Sequence, residues 1–568
     1  MLRIAGNAVL NLLKLPLYPL WLALRWLGRP RERWLHVKLR PRVVEVDRPM
    51  ELLARLMPRM RAAAPTSLSV LRTFAERVVR DPAIEGVVFE IPALATGWAA
   101  ATSLREVMLA LRAGGKQVVA YLPGGGANRE LYVASAADKI LAAPTATMAP
   151  LGVAASARYV KSLLDRVGVR VEVHRRAEYK TAAEAAVRET MSDAQREQIG
   201  ALLDAVDRAL VQALAQRPGM DEAKVRALFD RAMLTGQDAK DAGLVDGLCY
   251  EDGLAAALVP EGQPAPKLAR APRWLSYRMG RFFRPVLPRP YVAVVPLHGA
   301  IGAGAGVSHA SSAATIRTVA RDPRALGVVL HIDSPGGSAL ASDLIHREVE
   351  LLAKKKPVVA AFGEVAASGG YYVAAPTAAI VAQPLSITGS IGVVSARPVL
   401  RDLLENVGVR TEVMRRAPHA DLLANPRPLE DAEHEIMERE IDGFYRTFVG
   451  VVARGRGRAH DDIEPLARGR VWIGSDARER GLVDRLGGLD AAVDEVRRRL
   501  PIAEALRARV EPRVLWPRPG AEPPPPLSAS TLAPMAIALL DPQLAELVTL
   551  IGSGEHALFY AMGLPRID

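Results

Sequence analysis

The sequence predicts an α/β protein made of two tandem copies of one domain, preceded by an apolar and basic N-terminal helix that associates with a membrane. Three observations carry this expectation: a long internal repeat, an alternation of strand-like and helix-like segments inside each copy, and a distinctive first 44 residues. At 568 residues the chain is also too long for one ordinary hydrophobic core.

The repeat is read directly. "IEGVVFEI" (Ile84 to Ile91) returns as "ALGVVLHI" (Ala325 to Ile332), and "KQVVAYL" from Lys116 returns as "KPVVAAF" from Lys356. "LYVASAADKILAAPTATMAPLGV" from Leu131 matches "YYVAAPTAAIVAQPLSITGSIGV" from Tyr371 at an offset of 240, and "VGVRVEVHRRAEYKTAAEA" matches "VGVRTEVMRRAPHADLLAN" at the same offset. "LTGQDAKDAGLVDGL" returns as "WIGSDARERGLVDRL". Similarity this long, in one order, is a duplicated domain.

Within each copy, short β-branched runs such as "GVVL" and "PVVAAF" read as buried strands, and stretches such as "ASDLIHREVELLAKK" read as helices between them. Such alternation implies sheets covered by helices. The expected organisation is an N-terminal segment 1–44, a first repeat 45–262, a basic proline-rich linker 263–290, a second repeat 291–500 and a proline-rich, apolar tail 501–568. Within that tail, Thr531 to Leu564 is apolar and reads as an amphipathic helix, either on the body or on a membrane.

Half the residues are hydrophobic and 24% are charged, which describes a globular chain rather than a disordered one. The single cysteine, Cys249, excludes an internal disulfide and any multi-cysteine metal site, and the ten histidines show no paired-ligand spacing. No metal and no cofactor is expected. The net charge of +12 is concentrated in two places: Met1 to Arg42 carries +8 and Pro264 to Pro290 carries +7, which leaves −3 for everything else. The folded body is therefore not basic, and nucleic acid is not an expected partner. Ile4 to Leu24 is about the ~20 residues a bilayer span needs, interrupted by Lys14, Pro16 and Pro19. Trp21, Trp26 and Trp34, with Arg25, Arg29, Arg31 and Arg33, suit a membrane interface.

Differences between the copies point to chemistry. Ser368, in "EVAASGGYYVAAP", faces Asn128 of the first copy, so the turn does not require a serine. The loop "DSPGGS" (Asp333 to Ser338) faces "PALATG", so only the second copy keeps paired glycines whose N–H groups can converge on an oxyanion. Conversely, Lys180 in "EYKTAAEA" faces Ala420. One copy holds a candidate nucleophile and the other a candidate base. A serine hydroxyl needs such a base at neutral pH, and lysine serves when burial lowers its pKa. Glu178 and Glu184 oppose that lowering if they face the amine.

The motifs "DSPGG", "AASGGYY", "TGSIGV" and "YK" followed by "AAEAAVRETMSDAQREQ" resemble the signal peptide peptidase A family, in its long tandem-duplicated bacterial form. That family belongs to the Clp protease and crotonase superfamily, and the resemblance covers about residues 45 to 500. It implies two crotonase/Clp-protease-like domains and a serine endopeptidase that cleaves apolar peptides such as released signal peptides. Ser368 would be the nucleophile, Lys180 the general base and Ser390 the residue that orients the lysine. Gly336 or Gly337, with Gly369, would form the oxyanion hole. It further implies attachment to the bacterial inner membrane, contact with membrane lipid, and a homo-oligomer, a tetramer.

Other readings compete. His331 beside Asp333 suggests a Ser–His–Asp triad, but it sits inside an apolar strand. "PGGGAN" lacks the Lys-Ser/Thr of a phosphate loop. A crotonase-type acyl-CoA enzyme would share the fold yet has no use for Ser368 and Lys180 together. A non-enzymatic membrane scaffold would need none of Ser368, Lys180 and Ser390.

Overall fold

The computed structural model describes residues 2–48, 64–302, 306–424, 427–517 and 558–560. Two compact units emerge. One joins Met1–Val153 to Val206–Pro290, and the other joins Ala154–Ala205 to Tyr291–Asp568. The segment that carries Lys180 thus packs with the second copy, although the sequence repeat places it in the first. The expected amphipathic tail falls outside the described residues except for a short strand, Leu558–Tyr560.

The first unit is built on a six-stranded parallel sheet. Its order is Gly247–Leu248, Lys139–Ala142, Gln117–Leu122, Gly86–Glu90, Trp34–Lys38 and Leu268–Arg270. Two strands lie outside the expected repeat boundaries. "WLHVK" comes from the N-terminal segment and is buried over four of its five residues. Leu268–Arg270, from the expected linker, forms an edge and leads into the helix Ala271–Met279. Before them the chain is helical over Leu2–Lys14 and Tyr18–Leu27, joined by a 3₁₀ turn at Leu15–Leu17. Pro16 and Pro19 sit at the starts of the two later pieces, where the missing N–H costs least.

The second unit repeats this sheet. The strands Arg485–Leu486, Ala379–Ala382, Val358–Ala367, Ala325–Ser334, Tyr291–His298 and Glu511–Val514 pair in parallel in the equivalent order. Near-continuous apolar runs such as "VVAAF" suit strands covered on both faces, and Val328, Val329, Leu330, Val359 and Ala360 have no exposure. A detail inside the fold is also duplicated. Lys116 donates to the carbonyls of Asp81 and Ile84, and Lys356 to those of Val319 and Asp322, all at 2.6–2.7 Å. Each amine ties together carbonyls at and just beyond the C-terminal end of a helix.

A second, smaller sheet belongs to this unit alone. Its order is Val307–Ser308, Ile301–Gly302, Gly336–Ser338, Leu558–Tyr560, Val394–Val399 and Arg170–Arg175. The last pair is antiparallel over six residues, from Val394↔Arg175 to Val399↔Arg170. This ladder fixes the Lys180 segment onto the unit that contains Ser368.

Candidate active site

Two neighbouring strands end at the site. Val358–Ala367 pairs with Ile387–Gly389, and Ala367 lies opposite Gly389. The next residues are Ser368 and Ser390, so the pairing brings their hydroxyls to one sheet end. Ser368 N–H donates to Gly389 O at 2.8 Å, and Ser368 O accepts Tyr372 N–H at 2.9 Å, which opens the helix Gly369–Ala374. Both serines have positive φ, +53° at Ser368 and +51° at Ser390. Non-glycine residues in such conformations cost about 1–3 kcal/mol and are held only by well-determined surroundings. Tyr371 and Tyr372 supply that hold, since their hydroxyls donate to Leu482 O and Asp343 Oδ1, both at 2.7 Å.

Lys180 reaches the same point from the turn after strand Arg170–Arg175. Its Nζ lies 2.7 Å from Ser368 Oγ, 3.0 Å from Ser390 Oγ and 3.1 Å from Ser390 O. All three residues are buried: Lys180 is 1% exposed, Ser368 0% and Ser390 3%. Burial disfavours the ammonium and holds its pKa well below the ordinary lysine value. The nearby acids do not counter this. Glu178 pairs with Arg468 at 2.8 Å, and the buried Glu184 pairs with Arg175 at 2.7 Å.

Sequence reasoning missed several residues that position the lysine. Gln198 donates to Thr181 Oγ1 at 2.8 Å and accepts Val471 N–H at 3.3 Å, tying the lysine turn to strand Val471–Ile473. Its place in a polar stretch of helix resembles a surface residue, yet it is 2% exposed. Gly392 and Gly469 form the wall against the lysine stem. A Cβ on Gly392 would lie 3.4 Å from Lys180 Cδ, and one on Gly469 would lie 2.6 Å from Lys180 N.

The glycine loop lies on the same unit. Gly336 has φ +103° and donates its N–H to Ser334 Oγ at 3.2 Å. Gly337 has φ +152°, and a side chain there would collide with Ile301 O. Gly369 begins the helix after Ser368. Gly370 packs so closely that a Cβ would fall 2.9 Å from Ser334 O. Leu558–Tyr560 pairs antiparallel with Gly336–Ser338, and its Leu558 pairs with Val394 on the other side. His331 is 2% exposed, and its Nδ1 is 2.6 Å from His298 Nε2.

The first copy is closed at the equivalent place. Asn128, opposite Ser368 in the repeat, accepts Leu151 N–H at 3.0 Å and donates to Gly152 O at 2.6 Å. The Glu130 carboxylate accepts the N–H groups of Leu94 and Ala127. A carboxylate of the chain itself therefore takes up one N–H of the loop that corresponds to the glycine loop, that of Leu94, and the N–H of Ala127 just before Asn128.

A buried amine on a serine hydroxyl, at the ends of parallel strands in an α/β unit, is an arrangement that nucleophilic serine chemistry can use. The chain belongs to peptidase family S49, whose model matches residues 110–261 and 350–502. It is 33% identical over 432 residues to the chloroplastic serine protease SPPA of Arabidopsis thaliana, covering 73% of this chain and 63% of that protein. It is 32% identical to Protease 4 of Salmonella typhi and 28% identical to Protease 4 of Haemophilus influenzae. Those matches cover 73% of this chain and 69% and 70% of the relatives.

Proposed function

We propose that the protein is a membrane-associated serine endopeptidase that works through a Ser368–Lys180 dyad and cleaves extended apolar peptides such as released signal peptides. The observation that carries this reading is the 2.7 Å contact between Ser368 Oγ and a lysine amine with 1% exposure. A neutral amine at that distance accepts the hydroxyl proton as Oγ attacks the scissile carbonyl. The resulting ammonium then passes the proton to the leaving amine. The same amine activates water, which releases the acyl group and restores the serine. Ser390, with its carbonyl and hydroxyl on Nζ, holds the amine toward Ser368. The N–H groups of Gly337 and Gly369 are assigned to the developing oxyanion, with Gly336 shaping the loop through Ser334.

The strand Leu558–Tyr560 between Gly336–Ser338 and Val394 supports binding of substrate as an added strand, which reads backbone rather than sequence. Membrane association is supported by the apolar helix Ala5–Leu27. A bacterial inner-membrane location and a closed tetramer belong to the same proposal, on family resemblance. The test is labelling of the purified full chain by a fluorophosphonate probe. Wild type should label at Ser368 and hydrolyse apolar peptides, while Ser368→Ala and Lys180→Met should do neither. Hydrolysis retained by Ser368→Ala would remove the assignment.

A further inference from the structure

The helix Ala5–Leu27 is long and apolar enough to cross a bilayer, yet one face of it is not apolar. Asn7, Asn11, Lys14, Tyr18, Trp21 and Arg25 follow one another at steps of four and three, which places them on a single stripe. The chain after helix Ala271–Met279 runs antiparallel down that stripe. Arg25 donates to Tyr277 O at 2.8 Å and to Gly280 O at 2.5 Å. Tyr18 and Trp21 pack on Phe282, with ring centroids 5.4 and 5.3 Å away, and Tyr18 also packs on Phe283 at 5.1 Å. The Lys14 ammonium stands 5.8 Å from the Phe282 ring centre. Asn11 donates to Arg284 O at 2.8 Å and accepts Arg284 N–H at 2.9 Å, and Asn7 donates to Pro285 O at 3.0 Å. The opposite face is bare: Val9, Leu12, Leu13, Leu20 and Leu27 are 56–71% exposed.

From this we infer that the N-terminal helix lies in the plane of an anionic membrane surface, capped on its upper face by residues 280–285, rather than crossing the bilayer. The inference rests on the membrane association proposed above. A spanning helix would carry Lys14, Arg25 and an irregular backbone segment into hydrocarbon, where lipid-exposed loops are not tolerated and charges are costly. Shedding the segment would leave Asn7, Asn11 and Arg25 without these partners at the same depth. In the plane of the surface, every group finds its medium. The leucine face enters the acyl region, the tyrosine and tryptophan rings sit at headgroup level, and the exposed Arg281, Arg284 and Arg289 meet lipid phosphates. The charge agrees with an anionic partner, since residues 1–42 carry +8 and 264–290 carry +7.

The test places single cysteines at the two ends of the helix in the full chain, Gly6→Cys or Arg31→Cys with Cys249→Ser, and treats sealed right-side-out and inverted membrane vesicles with an impermeant maleimide. Both cysteines should react in the same vesicle orientation and be protected in the other. Reaction of the two in opposite orientations would show a span and overturn the inference while leaving membrane association intact. Chain that fails to sediment with either vesicle would overturn the membrane reading itself. A second arm uses Arg281→Glu with Arg284→Glu on vesicles of phosphatidylcholine with about 30% phosphatidylglycerol, where binding should fall about tenfold or more. Unchanged binding there would show that the segment does not face lipid.

Discussion

Gly469→Ala tests whether the position of the lysine, and not merely its presence, sets the rate. Gly469 has φ +79°, and its N–H is fixed on Ile391 O at 2.8 Å. A methyl on its Cα would fall 2.6 Å from Lys180 N and 2.7 Å from Lys180 Cβ, where ordinary contact begins at 3.4 Å. The lysine backbone must therefore retreat by about 0.8 Å, the difference between 2.6 and 3.4 Å. Carried along the stem, that retreat stretches the 2.7 Å contact between Nζ and Ser368 Oγ to about 3.5 Å, beyond a useful hydrogen bond. Misplacement of about 1 Å costs roughly 10²-fold in rate, or about 2.7 kcal/mol of barrier. The control is Gly457→Ala at the C-cap of helix Asp431–Arg456. It has φ +62° and nothing within 4 Å of the new methyl, so it suffers the backbone penalty of about 1 kcal/mol without the clash. The assay is kcat on a fluorogenic peptide and the rate of fluorophosphonate labelling, with thermal melting to report folding. Gly469→Ala should lose about two decades in both rates while Gly457→Ala keeps them. A folded Gly469→Ala enzyme within about threefold of wild type would refute the reasoning, because the wall behind Lys180 would then be irrelevant to catalysis.

Because burial lowers the Lys180 pKa, kcat/KM should rise with pH along a limb whose midpoint lies below the ordinary lysine value of about 10.4. Lys180→Arg cannot deprotonate and should be as inactive as Lys180→Met, a loss of about 10²–10⁴; an active arginine variant would make the lysine structural. The same shift means that the unfolded chain binds more protons than the folded one between the lowered and the ordinary pKa. Stability should therefore climb with pH across that window, and Lys180→Met should remove the climb in denaturant titrations. Ser368→Ala and Ser368→Gly both lose the hydroxyl, but only glycine relieves φ +53°, so the glycine variant should melt higher; the reverse order by calorimetry would deny the strain. Ending the chain before Leu558 removes the strand paired with Gly336–Ser338 and should raise kcat/KM for extended peptides, whereas an unchanged or lower value would show that this strand does not occupy the substrate path.

The duplication makes much of this legible in the chain alone. Comparing the copies singled out Ser368 against Asn128 and Lys180 against Ala420, and the alternation of strands and helices gave the α/β class. The parallel sheets then appear twice in equivalent strand order. Ser390 was legible only through the resemblance of "TGSIGV" to the family motif, since the first copy has Pro150 at that position. Gln198 and Gly469 were not. A glutamine on a helix and a glycine in a loop carry no local mark of the lysine they support, since the contact is with residues distant in sequence.

The sequence by itself determined the elements, their duplication and the residue types available for chemistry, because periodicity and composition act over a few turns of chain. Which copy owns the lysine was decided only in three dimensions. Lys180 belongs by descent to the first repeat, but the antiparallel ladder between Arg170–Arg175 and Val394–Val399 places it in the second unit, in the same chain as its serine. The lowering of its pKa also required the fold. The pKa of an amine falls in this way only when packed residues, here Gly392, Gly469 and the two serines, take the place of water around it. The N-terminal stripe follows the same logic: the spacing of Asn7 to Arg25 is visible in the sequence, but only the docking of residues 280–285 on it shows which face is left exposed.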